Sequence, residues 1–121
     1  PYHLCHIEAP LSAAEAVLCR EPTIAPLGRP LAQTVAVAKR PLSAGEVLDG
    51  VGGFMCYGEV DTVEKAAGLL PIGLAEGLRL IRDVATGEPI PLDAVELDDG
   101  RLIVRLWRQQ TAWPTAAPIA A

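Results

Sequence analysis

The sequence predicts a mainly β fold of short strands and tight turns, made of two related halves, with one short helix near the N-terminus. Eleven prolines and eleven glycines are spread along 121 residues, which is typical of many short elements. The turn sequence RPLSAGEVL at 40–48 recurs 42 positions later as RDVATGEPI at 82–90. Such a repeat predicts a pseudo-two-fold module. With half of the residues apolar and few of them aromatic, we expect a core of Leu, Val, Ile and Ala.

The N-terminal part predicts an extended segment, a helix and a linker. Residues 1–9 have no helical signal and are interpreted as extended. Ser12 with Glu15 forms a capping box that predicts a helix over 12–20, closed by Pro22. The apolar side of this helix needs a partner surface that a small β module does not obviously supply. Two prolines and a glycine in TIAPLGRP indicate a linker up to residue 30.

The first half of the module then begins with a strand. Val35 and Val37 alternate with smaller residues in 31–40, and this period of two predicts a strand that leads into the first repeated turn. In the segment 49–58, Gly50, Gly52 and Gly53 precede an apolar run that ends at Tyr57, which indicates a glycine loop entering a short strand. A weaker capping signal, Asp61 with Glu64, predicts one helical turn that ends at Gly68.

The second half follows the same plan. Residues 78–84 alternate and lead into the second repeated turn. The segment RLIVRLWR at 101–108 places Leu102, Val104 and Leu106 on one face, and we predict it to be the best-defined strand of the chain. The Ala- and Pro-rich segment 111–121 is expected to be a flexible tail.

The repeated turn has an architectural and a catalytic interpretation. Gly45 and Gly87 supply the positive φ that a tight turn needs, and the apolar residues on either side point inward. The arginine and the glutamate of each copy then lie outside the turn, close enough for a surface ion pair. The alternative makes Glu46 and Glu88 a pair of acid/base carboxylates. We favour the architectural interpretation, because residues beside a turn glycine are normally solvated.

Charge and cysteine usage limit the partners and the compartment. The net charge is −5 and basic runs are short, so neither nucleic acid nor an anionic membrane is an expected partner. Three cysteines without a C-x-x-C motif favour a reducing, cytoplasmic setting with buried free thiols. The sequence has neither a long apolar run nor a signal-peptide pattern. It begins PYHLC without Met, so we interpret it as a piece of a larger protein.

Three groups of residues are candidates for chemistry. His3 and His6 are candidate catalytic residues at the edge of an active site, whereas a metal site formed with Cys5 and Glu8 is disfavoured, because a strand would divide the four ligands between two faces. The glycine loop is a candidate substrate-binding loop, although a tight bend explains its glycines as well. The candidate substrate-binding residues are Gly52, Gly53, Tyr57 and Arg82. Three arginines of the last predicted strand have two interpretations, as a site for a carboxylate or phosphate or as charges that protect an edge strand: Arg101, Arg105 and Arg108.

The second copy of the turn resembles the signature of the SAF family. In RDVATGEPIPLDAVEL the matching positions are Asp83, Gly87, Glu88, Asp93 and Val95. SAF modules occur in sialic-acid synthases, altronate dehydratases and flagellar or pilus assembly proteins. The resemblance implies a β-clip fold for residues 31–110.

A narrower resemblance covers almost the whole chain. The segments PYHLCHIEAPLSAAEAVLCREPT, KRPLSAGEVLDGVGGFMCYG and LLPIGLAEGLRLIRDV together look like the C-terminal part of homoserine-dehydrogenase-like NAD(P)-dependent oxidoreductases, a group that includes the deoxyxylulose-phosphate-reductoisomerase-like enzymes. In these proteins a Rossmann domain and a catalytic region precede the SAF module. The resemblance therefore implies that residues 1–30 are the end of the catalytic region.

The same resemblance implies where the cofactor binds. This chain contains no G-x-G-x-x-G fingerprint, so NAD or NADP is expected on the N-terminal part that precedes it. The implied function is that of an accessory domain, which shapes the substrate site or supports a homo-oligomer. Its first partner would then be the rest of the same polypeptide. The alternative is a stand-alone SAF module that binds a sugar acid or a similar small anion.

Overall fold

The computed structural model describes residues 4–25, 28 and 30–112, which divide into one compact unit up to Gly28 and another from Pro30 onward. Within these described ranges, two helices and two strands form the regular structure, together with two single turns of 3-10 helix. In chain order they are α1 (Cys5–Leu18), β1 (Ala32–Ala38), β2 (Cys56–Thr62), the 3-10 turns Ile72–Leu74 and Leu92–Ala94, and α2 (Leu102–Thr111). Among the described residues, no helix has the length and apolarity needed to cross a bilayer.

The sheet is an antiparallel pair at the centre of the second unit. β1 pairs with β2 from Ala32 opposite Thr62 to Ala38 opposite Cys56. The other edge of β1 continues only as single bridges, to Pro71 and to Pro89. β1 is buried on both faces over its last four residues, as its alternating valines and alanines allow. The two strands predicted for the first half are confirmed, and the second of them begins at residue 56.

Residues 63–68, where one helical turn is predicted, form hydrogen-bonded turns and no assigned helix. The amide N–H of Ala66 donates to the carbonyl oxygen of Thr62 at 2.9 Å, which closes one turn of i to i−4 type. The Thr62 hydroxyl accepts from the N–H of Lys65 at 3.4 Å. Thr62 rather than Asp61 therefore caps this turn.

The two halves of the module complete each other's hydrogen bonding. Leu42 and Val84, equivalent positions of the repeat, each donate an N–H to the other's carbonyl oxygen at 2.9 Å. Further bonds come in pairs with the same 42-residue offset: Gly45 N to Leu80 O (2.7 Å) corresponds to Gly87 N to Ala38 O (2.8 Å), and Leu80 N to Glu46 O (2.8 Å) corresponds to Ala38 N to Glu88 O (3.0 Å). The predicted mainly β fold with a pseudo-two-fold repeat is confirmed.

The turn glycines adopt the conformation that the sequence required. φ is +91° at Gly45 and +77° at Gly87, in the left-handed region that L-residues disfavour. The arginine of each turn behaves differently in the two copies. Arg40 pairs with Glu46 at 2.7 Å as expected, whereas Arg82 binds the carboxylate of Asp93 instead of Glu88. The predicted Arg-Glu pair is thus correct for the first copy and wrong for the second.

The core is aliphatic, as the composition predicted. Four apolar residues that flank the two turns are buried, namely Leu42, Leu48, Val84 and Ile90, and residues from several loops and from α2 join them in one cluster. The largest side chains in this cluster that are almost fully inaccessible are Leu42, Leu48, Leu70, Leu80, Ile90 and Val104. The turns therefore hold the module together through their apolar flanks, while the polar residues at their tips face solvent.

The first helix differs from its predicted bounds. α1 begins at Cys5, so the extended interpretation of residues 5–9 is wrong, and Ser12 lies inside the helix instead of capping it. Pro10 is also inside, where its ring removes one backbone donor without ending the helix. α1 ends at Leu18, and Arg20 reverses the chain with φ at +58°. The part of the prediction that concerns residues 1–3 lies outside the described residues.

The predicted C-terminal strand is wrong, because residues 102–111 form helix α2. Asp98 starts the change of direction: its carboxylate accepts from the N–H of Gly100 at 2.8 Å, and its carbonyl accepts from Arg101 at 3.2 Å. Val104 is then fully buried and Trp107 partly buried, one helical turn apart. The tail predicted at 111–121 begins with the last helical residue, and 113–121 lie outside the described residues.

Candidate functional site

A shallow polar depression of about 380 Å³ lies where the strand-like segment at 78–80 meets the chain leading into α2. Two guanidinium groups, two carboxylates and three apolar side chains line it, together with Gly77: Arg79, Arg101, Glu96, Asp98, Val47, Leu78 and Leu97. The mixture of charges suits a small molecule that carries a carboxylate together with hydroxyl or ammonium groups better than it suits a multiply charged anion.

The two arginines of the depression are held by backbone carbonyls. Arg79 donates from Nη1 to the carbonyl oxygen of Gly45 at 2.7 Å, and its Nε lies 4.0 Å from the Glu96 carboxylate. Arg101 donates from Nη1 to the carbonyl oxygen of Glu76 at 3.1 Å. Each guanidinium has five N–H donors, so both retain donors for a ligand. The depression thus contains two positively charged guanidinium groups in fixed orientations, and neither of them is buried.

Backbone pairing brings these residues together from distant parts of the chain. Arg79 is the outward residue between the buried Leu78 and Leu80, as the alternation in this segment predicts. The N–H of Glu96 donates to the carbonyl oxygen of Arg79 at 2.9 Å, which sets the two side chains side by side. Neither residue of this pair was predicted from the sequence, in which only the alternation indicates that Arg79 faces solvent.

The glycine loop is organised by one carboxylate. Asp49 accepts from the N–H of Phe54 at 2.5 Å and from the N–H of Met55 at 3.2 Å. These bonds hold the pKa of Asp49 below its usual range, with a further contribution from the nearby Lys39. Lys39 in turn donates to the carbonyl oxygen of Gly53 at 2.5 Å. The sequence analysis did not identify Asp49, although an Asp directly before a glycine loop is a known turn signal.

The predicted substrate-binding residues do not converge on one site. A Cβ at Gly53 would lie 2.2 Å from Cγ of Asp49, so the close approach of that carboxylate accounts for this glycine. Gly52 has φ at +81° and open space around it, which a bend explains. Tyr57 lies partly exposed on β2, and Arg82 is engaged with Asp93. None of the four lines the depression, and their role in binding stays a prediction.

Three of the remaining candidates, His6, Arg105 and Arg108, lie on the two helices. His6 is exposed on α1, and His3 lies outside the described residues. Within the residues that the structure describes, no three His, Cys, Asp or Glu side chains are grouped so that they could hold a metal ion. Arg101, Arg105 and Arg108 follow helical spacing instead of strand spacing, and Arg108 pairs with an aspartate of the preceding turn at 2.6 Å.

The cysteines differ in environment. Cys56 is buried, and burial raises the pKa of its thiol. Cys5 and Cys19 are exposed free thiols, so the expectation of buried thiols is correct for one cysteine and wrong for the other two. Because Cys56 is buried and the pKa of its thiol is raised, this residue acts as a packing residue of the core.

The fold and the depression together define a class: a small β module whose halves share one hydrogen-bonding network, with its polar groups at the surface. Sequence comparison agrees with that class. Residues 33–96, more than half of the chain, match the SAF domain, and the chain belongs to the SAF domain family. No curated protein matches the chain.

Proposed function

We propose that this SAF module is an accessory domain of a larger NAD(P)-dependent oxidoreductase, in which it shapes the substrate site or supports oligomerisation. In this proposal NAD or NADP binds to a preceding Rossmann domain and the chain itself carries no cofactor. The order of the three segments that resemble homoserine-dehydrogenase-like enzymes supports the proposal. The protein would act in the cytoplasm.

The observation that carries the proposal is the exposed apolar stripe of α1. Ile7, Leu11 and Leu18 are separated by four and seven residues, which aligns them on one side of the helix, and they are 49% to 81% exposed. No residue of α1 is buried. A helix with such a stripe gains stability when it packs against an apolar surface, at about 1.5–3 kcal/mol for each large side chain that becomes fully buried. A catalytic region of the same polypeptide would supply that surface.

The test uses the full-length gene product and two matched variants. We expect the region upstream of Pro1 to encode a Rossmann fingerprint, and the double change Ile7→Glu with Leu11→Glu to lower kcat/KM or to dissociate the oligomer. Val17→Glu is the control, because Val17 is also exposed, at 75%, but lies off the stripe. An initiation codon directly before Pro1, or equal effects of the two variants, would contradict the proposal.

A second function is favoured by one specific observation, the depression that contains two guanidinium groups. A stand-alone SAF module would use Arg79 and Arg101 to bind the carboxylate of a sugar acid. Isothermal titration of the isolated chain with gluconate tests this function. Saturable binding that Arg79→Gln abolishes would support it, and NADPH titrated in the same way should give no signal under either proposal.

A further inference from the structure

The hydrogen bonds of β1 determine which backbone groups of β2 face its partner strand. Ala36 and Ala38 exchange N–H and C=O bonds with the second half of the module, at 2.8–3.0 Å, and so point away from β2. Because consecutive residues of a strand alternate in direction, Val35 and Val37 are the residues that bond to β2. The bond from Lys39 N to Met55 O at 2.9 Å continues the same alternation.

The register then identifies the outer edge of β2. Val35 lies opposite Glu59 and Val37 lies opposite Tyr57, so Glu59 and Tyr57 face β1 with their N–H and C=O groups. The backbone groups of Gly58 and Val60 must therefore point outward, away from the sheet. No described residue donates to these two carbonyls or accepts from these two amides. Among the described residues, β1 is the strand that pairs with β2, and no isolated bridge involves its outer edge; Val60 is 68% exposed.

The side chains beside this edge define what it can accept. Tyr57, Glu59 and Asp61 project from one face of β2, and the carboxylate of Glu59 has no partner among the described residues. Gly58 and Val60 lie on the opposite face and are apolar. An added strand would thus be complementary if it carried Lys or Arg at alternate positions and aliphatic residues between them.

A second copy of this chain is a poorer occupant of the same edge. Antiparallel pairing of two β2 strands about Glu59 would place this carboxylate opposite its own copy, which is destabilising in a cross-strand pair. The net charge of −5 adds long-range repulsion between copies and attraction for a basic segment.

We propose that the outer edge of β2, defined by Gly58 and Val60, binds an extended basic peptide as an added antiparallel strand. Main-chain hydrogen bonds to Gly58 and Val60 hold the peptide, and its basic side chains pair first with Glu59, because the Asp61 carboxylate already lies 3.5 Å from Nζ of Lys65. This inference concerns a surface apart from the depression and does not depend on the oxidoreductase proposal.

The test is a titration of the full chain with a fluorescein-labelled peptide of alternating Lys and Val, followed by anisotropy. We expect saturable binding, and slowed hydrogen exchange at the amides of Gly58 and Val60 when the peptide is present. Val60→Pro removes the outward donor without removing a bond to β1, and should weaken binding about tenfold or more. Val60→Thr is the matched control and should bind as the native chain does. Replacing Lys by Glu in the peptide should abolish binding.

Two further measurements keep the proposal falsifiable. If Val60→Pro alters the circular dichroism of the protein, a peptide with N-methylated valines tests the main-chain hydrogen bonds without any change to the chain. This peptide lacks the N–H donors of its valines and should fail to bind. Equal binding of the methylated and unmethylated peptides, or no binding of the native chain, would overturn the proposal. Slow exchange at Gly58 and Val60 without peptide, together with a dimer by light scattering, would show that a second copy occupies the edge and would overturn the choice of partner.

Discussion

Replacing Gly87 by alanine tests whether the repeated turn depends on backbone conformation alone. The N–H of Gly87 donates to Ala38 across the two halves, and alanine keeps that donor. A Cβ at this position would meet nothing within 4 Å, so the substitution creates no clash with a neighbour. What changes is the cost of φ at +77°, which glycine adopts freely and alanine does not.

The expected loss follows from two opposing effects. An L-residue in the left-handed region costs about 1–2 kcal/mol. Alanine also lowers the entropy of the unfolded chain, which stabilises the folded state by about 0.4–1 kcal/mol. We therefore expect Gly87→Ala to lower the free energy of unfolding by about 1 kcal/mol, equivalent to about 4–8 °C in Tm for a domain of this size.

Two other glycines supply the controls. Gly45 occupies the equivalent position, with φ at +91° and nothing within 4 Å of its Cβ position, so Gly45→Ala should cost about as much. Gly73 also has open space but lies in a 3-10 turn without positive φ, so Gly73→Ala should stabilise by about 0.4–1 kcal/mol. Urea unfolding followed by circular dichroism measures all three. If Gly87→Ala and Gly73→Ala change the midpoint in the same direction, the conformational argument is refuted.

Three further predictions concern acid stability, packing and thiol reactivity. The pKa of Asp49 is lowered in the folded state, so its ionised carboxylate stabilises the fold above its ordinary pKa of about 4, and this stabilisation is lost as the pH falls through the lowered value. Asp49→Asn should therefore make the free energy of unfolding less dependent on pH in the acid range. Leu80→Ala should cost about 2–5 kcal/mol in urea unfolding, whereas Ile81→Ala, at a side chain 53% exposed, should cost less than about 1 kcal/mol. Ellman's reagent should label the two exposed thiols at once and Cys56 only on unfolding; labelling of three thiols in the native protein would contradict its burial.

The repeated turn was predictable because its requirements are local. A glycine with positive φ between inward apolar residues leaves the same signal at Gly45 and at Gly87, and the regular offset between them reveals the two halves. The strand at β1 follows equally from its alternating valines. These features depend only on residues that are neighbours in the sequence, so one sequence is enough to predict them.

The helices were less predictable because two periods fit the same residues. The spacing of Leu102, Val104 and Leu106 is that of a strand face, whereas the spacing of Val104 and Trp107 is that of a helix face. The structure is a helix, in which Val104 is buried and Trp107 is partly buried. The turn at Asp98 and the surrounding core favour the helix. In α1 a proline at the sixth helical position resembled a boundary although the helix continues through it.

The polar depression could not be predicted for a different reason. Arg79 and Glu96 meet only because the backbone of one pairs with that of the other. Asp49 organises its loop only because the loop brings two backbone amides to its carboxylate. Both arrangements are set by tertiary structure, and the residue types alone do not distinguish them from ordinary surface charges.

The exchange of hydrogen bonds between equivalent positions has a consequence for the origin of this domain. Since Leu42 and Val84 satisfy each other, a single half would leave its turn without a partner and could fold only beside a second copy of itself. Duplication and fusion of such a half would replace an encounter between two molecules by one within a chain, at an effective concentration on the order of millimolar. Fusion also allows the two halves to carry different residues at equivalent positions: Arg79, which lines the depression, corresponds to the buried Val37 in the first half.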